Sequence, residues 1–195
     1  MLVVRADTHH AHHCPELDGG TLIQSWESPA RAVHVDEAID TNDRFAVIGP
    51  EPLDLATVRR VHDPGYIDFL ATAWTRWVEA GHTAPGAMAF GWPARRFRDT
   101  LPRHIEAQLG YYSFAADCSI GQGTWTAVCE SAAAAQTAAD RVVGGERAVF
   151  ARCRPPGHHA MRDQFGGYCK LNNAAIAAER LRRGGYGRGA ILDLD

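Results

Sequence analysis

The sequence predicts an α/β fold in three layers, a mainly parallel sheet flanked by helices. Three observations carry that expectation. Short apolar runs bounded by turn residues, "LVV", "RFAVIGP", "RAVFARC" and "GAILDLD", read as buried strands. Segments between them place apolar residues three and four apart, the spacing of amphipathic helices. The last third reads strand, helix, strand, which is the parallel βαβ unit.

Each element follows from its own residues. "LVV" opens the first strand, and "SPARAVHVDEAI" has helical spacing with Pro29 suited to a first turn. "RFAVIGP" is the next strand, stopped by Gly49 and Pro50. "PGYIDFLATAWTRWVEAG" is a helix whose Tyr66, Phe69, Leu70, Trp74 and Trp77 form a core stripe. Periodicity then disappears over residues 81–103, "GHTAPGAMAFGWPARRFRDTLPR". Loops of this length are functional or disordered as a rule, and the aromatic and arginine content speaks for order. Helical pattern returns in "HIEAQLGYYSFAADCS" and in "TWTAVCESAAAAQTAADRVV", the second closed by Gly144 and Gly145. "RAVFARC" is a continuous apolar strand, and "NNAAIAAERLRR" is a helix capped by Asn172 or Asn173 and ended by Gly184 and Gly185. "GAILDLD" completes the unit as a parallel strand buried on both faces.

Composition narrows the class. At 195 residues the chain is a single domain, and 46% hydrophobic with 22% charged residues is ordinary for a globular protein. A net charge of -3 gives no reason to expect nucleic acid as a partner. No apolar segment suits a secretory leader or a membrane span. Five cysteines at scattered spacings do not form a disulfide framework, so a reducing cytoplasm is the expected compartment.

The βαβ unit also places the chemistry. Parallel strands end at one sheet edge, and ligands of such sheets bind beyond their carboxyl ends. "RPPGHHA" follows the first strand, while Asp193 and Asp195 lie at the end of the second. His158, His159, Asp193 and Asp195 can therefore converge. Two imidazoles and two carboxylates suit metal-assisted hydrolysis, with zinc activating a water and histidines moving its proton.

"RPPGHHA", "FGGYCKLNNAA" and "ILDLD" resemble the arginase-like deacetylase superfamily, which holds histone deacetylases and acetylpolyamine amidohydrolases. "ELDGGTL", "VHDPGYIDFLATAWTRWVEAG", "IEAQLGYY" and "GTWTA" look like the acetylpolyamine branch, so the resemblance covers nearly the whole chain. It implies a zinc-dependent amidohydrolase that removes acetyl groups from polyamines or related small amines. His159 would be the general base and His158 would support charge at the reacting centre. Asp193 would pair with His158 and share in a structural potassium site, and Asp195 would be the first zinc ligand. Gly167 and Tyr168 would line the acyl channel, and Glu16, Glu106 and Asp117 fall where that branch places acidic groups for a cationic substrate. Residues 81–103 resemble an insertion that builds a homodimer interface and narrows the channel mouth, although the basic "RRFR" within them would oppose a cation unless it faces the partner subunit.

Two departures accompany the resemblance. The later zinc ligands and a carbonyl-binding Tyr of that superfamily have no counterpart up to Asp195, which implies a truncated and inactive fragment. Lys170 stands where a bulky apolar or aromatic residue is usual. Other classes stay open: an acyl-lysine protein deacetylase, a nonenzymatic remnant, or a metal-binding module built on "HHAHHC", His9 to Cys14. "GGYGRG" precedes a strand instead of following one, so it fails as a dinucleotide fingerprint. Cys153 and Cys169 read as buried apolar fillers.

Overall fold

The protein is described by a computed structural model covering residues 1–97 and 99–195; Arg98, in "RRFR" and the long loop, lies outside the described residues. In chain order, β1 (Leu2–Arg5) leads through a 3-10 turn (Thr8–Ala11) to the pair β2 (Pro15–Asp18) and β3 (Thr21–Gln24). Then come α1 (Pro29–Asp40), β4 (Ala46–Ile48), α2 (Leu55–Val61), α3 (Pro64–Glu79) and α4 (Ile105–Tyr112). The last elements are α5 (Thr124–Val143), β5 (Val149–Arg152) and α6 (Asn173–Arg183).

The main sheet has the order β4-β1-β5 and is parallel throughout. Side chains alternate across it, which separates its two faces. Val4 packs on Ala134 and Ala138 of α5, and Ile48, Val149, Ala151 and Cys153 share that face. The small side chains of the alanine-rich helix let it lie close to the strands, with α6 packed along it. The opposite face carries Arg5 and Arg152, which bond to Asp40 at 2.8 Å and to Asp36 at 2.9 Å on α1. These three layers are the expected ones. Among the described residues, no helix is long and apolar enough to cross a membrane.

A larger core lies beside the sheet. The expected stripe on α3 buries Tyr66, Phe69, Leu70 and Trp77 against Leu109 and Tyr112 of α4 and against Phe165, Leu171 and Ile176, with Trp74 only partly covered. Asp63 starts α3 by accepting hydrogen bonds from the Gly65 and Tyr66 amides.

One expectation needs correction, and two elements come in addition to those expected. "AILDL" is no strand: residues 190–195 pair with nothing in the sheet, and Ile191, Leu192 and Leu194 are 60%, 81% and 87% exposed. A strand buried on both faces requires a ladder partner, and an open cleft separates the side chain of Asp195 from β5. The β2–β3 hairpin was not anticipated, although "DGG" holds its signal. Gly19 and Gly20 have φ of 55° and 85°, the positive pair a two-residue type I′ turn demands. Helix α2 was also overlooked. Asp54 caps it, accepting from the Ala56 amide and the Thr57 hydroxyl.

Candidate active site

Strand β5 delivers the chain to the site. Just beyond it, the buried Arg154 guanidinium donates to Glu27 Oε1 at 2.9 Å, to the His12 and Glu27 carbonyls, and to the His9 carbonyl. It ties the end of β5 to the N-terminal 3-10 turn. Burial pushes the Glu27 carboxyl up despite this partner, because desolvation outweighs pairing for a buried ion pair. Gly157 then turns the chain where only glycine fits, since a Cβ would lie 2.5 Å from the Asn173 nitrogen.

The expected convergence occurs. His158 Nδ1 sits 3.1 and 3.0 Å from the two Asp193 carboxylate oxygens. Its Nε2 lies 3.3 Å from Asp195 Oδ2. Each ring nitrogen thus faces a carboxylate, and both can donate only when the ring is an imidazolium. The hydrogen bond from His158 holds the Asp193 carboxyl below the usual carboxylate range. Both aspartates arrive by an extended loop instead of the expected strand.

His159 is exposed, with its ring centroid 4.2 Å from that of His158. Gly167 packs flat against it: φ is 54°, and a Cβ would come within 2.4 Å of His159 Cδ2. Tyr168 follows in the same left-handed region at 64°, a strained conformation for a side-chain-bearing residue. Asp117 Oδ1 fixes this turn by accepting the Gly167 amide at 3.1 Å. An open cleft of about 610 Å³ brings together His158, His159, Gly167, Tyr168, Asp117 and Asp195.

Two acidic candidates stand elsewhere. Glu16 is buried, and both of its oxygens are occupied, by the Tyr168 hydroxyl at 3.2 Å and the Trp26 amide at 3.2 Å. It braces Tyr168, which lines the cleft, and does not line the cleft itself. Glu106 pairs with His82 at 2.8 Å and does not line the cleft. Within the basic run, Arg95 is neutralised by Asp163 at 2.5 Å and Asp99 at 3.1 Å and lies over the Tyr111 ring. Lys170 does not line the cleft and is buried in the interior, its Nζ 3.5 Å from His12 Nε2. Burial pushes Cys153 up to about 11 and Cys169 to about 12, which suits inert fillers.

The N-terminal histidines disperse. His9 stacks on His10, His12 bonds to the Thr124 hydroxyl at 3.0 Å, and His13 bonds to Gln24. Among the described residues, no group of three or more His, Cys, Asp or Glu is placed to hold a metal ion. Catalytic zinc takes three protein ligands, so Asp195 alone, 82% exposed in its side chain, does not make a zinc site. One functional residue escaped the sequence reading. The Asn172 side chain, anticipated only as a cap, also donates to the Ala160 carbonyl at 3.1 Å behind the two histidines.

A parallel α/β sheet with a tandem-histidine loop and two aspartates at its carboxyl edge defines the class, an α/β protein with a histidine–carboxylate cleft. Residues 25–195 match the histone deacetylase domain, and the chain belongs to that family. It is 44% identical over 196 aligned residues to the acetylpolyamine amidohydrolase of Mycoplana ramosa, covering all of this chain and 57% of that protein. Acetylpolyamine amidohydrolase 2 of Pseudomonas aeruginosa is 43% identical with the same coverage. The crystal structure of an acetylpolyamine aminohydrolase from Burkholderia pseudomallei superposes with a TM-score of 0.86 at 34% identity, over 94% of this chain and 53% of that one. The chain therefore spans little more than half the length of these relatives.

Proposed function

We propose that these residues form the histidine side of a zinc-dependent amidohydrolase that removes acetyl groups from polyamines or related small amines. The observation that carries the reading is the His158–Asp193 pair beside an exposed His159 in one cleft. His159 accepts a proton from the attacking water, and His158, held in tautomer and orientation by Asp193, supports charge at the acyl carbon. Gly167 and Tyr168 form one channel wall, and Asp117 both fixes that wall and presents a carboxylate to a cationic substrate. Bound zinc would supply a polarised carbonyl and an acidified water. Asp195 would be one ligand, with the other ligands outside these 195 residues. Asp193 would share in a potassium site.

The names of the relatives favour a small acetylated amine over an acyl-lysine protein. The chain is proposed to act in the reducing cytoplasm as a homodimer. Exposed Phe90, Trp92, Phe97 and Leu101 on the long loop, with Trp26 beside the hairpin, support an apolar subunit contact. The test is acetate release by residues 1–195 continued with the remaining portion of the Mycoplana ramosa relative. An acetylated diamine should be hydrolysed in a zinc-dependent manner and preferred over an acetyl-lysine peptide. The opposite preference would transfer the reading to a protein deacetylase.

A further inference from the structure

We infer that His62 is a positioning residue for the tandem-histidine loop, gripping from behind the backbone that presents His158 and His159 to the cleft. Three alternate carbonyls of that loop are held. Asn172 Nδ2 donates to His158 O at 3.4 Å and to Ala160 O at 3.1 Å. His62 Nδ1 donates to Arg162 O at 3.3 Å, and the Asp63 amide reaches the same oxygen at 2.9 Å. The other ring nitrogen of His62 accepts the Asn172 amide at 2.9 Å, while Asn172 Oδ1 accepts the Ala175 amide and caps α6. His62 thus grips the loop twice, once directly and once through the residue that holds its other two carbonyls. With the backbone anchored on that side, both histidine rings line the cleft opposite.

The two partners of the ring dictate its state. One nitrogen must carry a proton and the other must not, so the clamp requires the neutral Nδ1–H tautomer. The surroundings favour it. His62 is fully buried, with the Tyr66 ring 5.6 Å away and the Arg162 charge nearby. Burial lowers its pKa and Arg162 lowers it further, against the raising effect of the Arg162 and Met161 carbonyls. Asp63, the adjacent residue, is engaged as the cap of α3. His62 does not line the cleft and touches no reacting group, so its part is geometric.

The consequence for turnover rests on the deacetylase reading, whereas the first measurement does not. The 195-residue chain and its His62→Leu and His62→Gln variants are treated with diethylpyrocarbonate, and modification of His158 and His159 is followed by peptide mass. Exposed His13 and His34 serve as internal references. Leu fills the volume and removes both hydrogen bonds; Gln restores an acceptor near the Nε2 position. His62→Leu should raise His158 modification relative to the references by about five- to thirtyfold, the population factor for the roughly 1–2 kcal/mol of two lost hydrogen bonds. His62→Gln should stay within about twofold of the parent, because it keeps the acceptor that costs most to lose. Parental rates in a folded His62→Leu chain would overturn the inference. If His62→Leu unfolds, His62→Asn takes its place, since its shorter amide keeps a donor near Nδ1 and loses the acceptor for the Asn172 amide: His158 modification above that of His62→Gln supports the clamp, and equal rates overturn it. In the chain extended with the relative's remaining portion, His62→Leu should lower kcat and leave KM within about twofold, and Gln should restore kcat. If the modification pattern holds but the extended parent hydrolyses no acetylated amine, the functional reading fails and the clamp stands.

Discussion

His158 and His159 are neighbours in sequence, yet their surroundings differ. One is flanked on both ring nitrogens by carboxylates; the other is exposed and packed against Gly167. That asymmetry supports the proton-transfer role proposed for His159. His159→Ala in the extended chain should lower turnover about 10²–10⁴-fold while leaving zinc content unchanged, as read by acetate release and metal analysis. Near-parental turnover would remove His159 from the chemistry. Other histidines act on stability. Burial lowers His9 to about 4, lowers His12 well below its ordinary value, and lowers His62. These rings stay neutral in the fold but take up protons once unfolded, so the unfolded state binds more protons as pH falls. Their contribution is fully present above pH ~6.5 and is lost as pH drops from there through the lowered folded values. The unfolding free energy from urea titrations should therefore stay nearly level from pH 7.5 to about pH 6.5 and then fall toward pH 5, by up to about 1.4 kcal/mol per pH unit for each ring that remains neutral. A flat profile would contradict the assignment of neutral buried rings.

At the scale of elements, most of the fold was legible because each helix carries its own period or cap. The α3 stripe, the alanine run of α5 and the Asn172 cap of α6 are local signals, and local signals survive into the structure. Two local signals, the Gly19–Gly20 turn and the Asp54 cap, went unread; the rest of what was not legible depends on partners. "AILDL" has the apolar composition of a strand, but composition cannot say whether a ladder partner lies beside it. Glu16 and Glu106 looked like free acids because the Tyr168 hydroxyl and His82 that occupy them are remote in sequence. The long loop shows the same dependence. Its length and glycines suggest mobility, but Arg95 pins it to Asp163, Asp99 and the Tyr111 ring, and Trp92 donates to the Ser113 hydroxyl at 3.0 Å. Its exposed aromatics are therefore presented on a braced support, as a subunit contact would require. Arg95→Gln removes the central pin. Tryptic cleavage at Arg96 and Arg103 should then rise about five- to thirtyfold, the factor for 1–2 kcal/mol of lost anchoring, while α5 stays intact. Unchanged cleavage would show that the loop is held by its apolar packing instead.

At the scale of the molecule, the histidine half of the site is assembled and the metal half is not. Zinc in a catalytic site takes three protein ligands and keeps a fourth position open. Asp195, the proposed first zinc ligand, is exposed, and its carboxylate is turned to His158. A single carboxylate in water does not hold a divalent ion against hydration. The apolar surface tells the same story: β5 has an unpaired edge with Phe150 38% exposed, and Ile191, Leu192 and Leu194 lie open to solvent. Unpaired edges and contiguous apolar side chains associate. The 195 residues alone should therefore bind less than stoichiometric zinc, hydrolyse no acetylated amine, and self-associate as concentration rises. Metal analysis, acetate release and light scattering on one preparation measure all three. Adding the remaining portion of a relative as a separate chain should reduce the association and bring zinc and turnover together, since it would cover the β5 edge and supply the other ligands. A monomer of these 195 residues with zinc-dependent deacetylation would mean that the ligands arise within them, and the division of the site into two halves would fall.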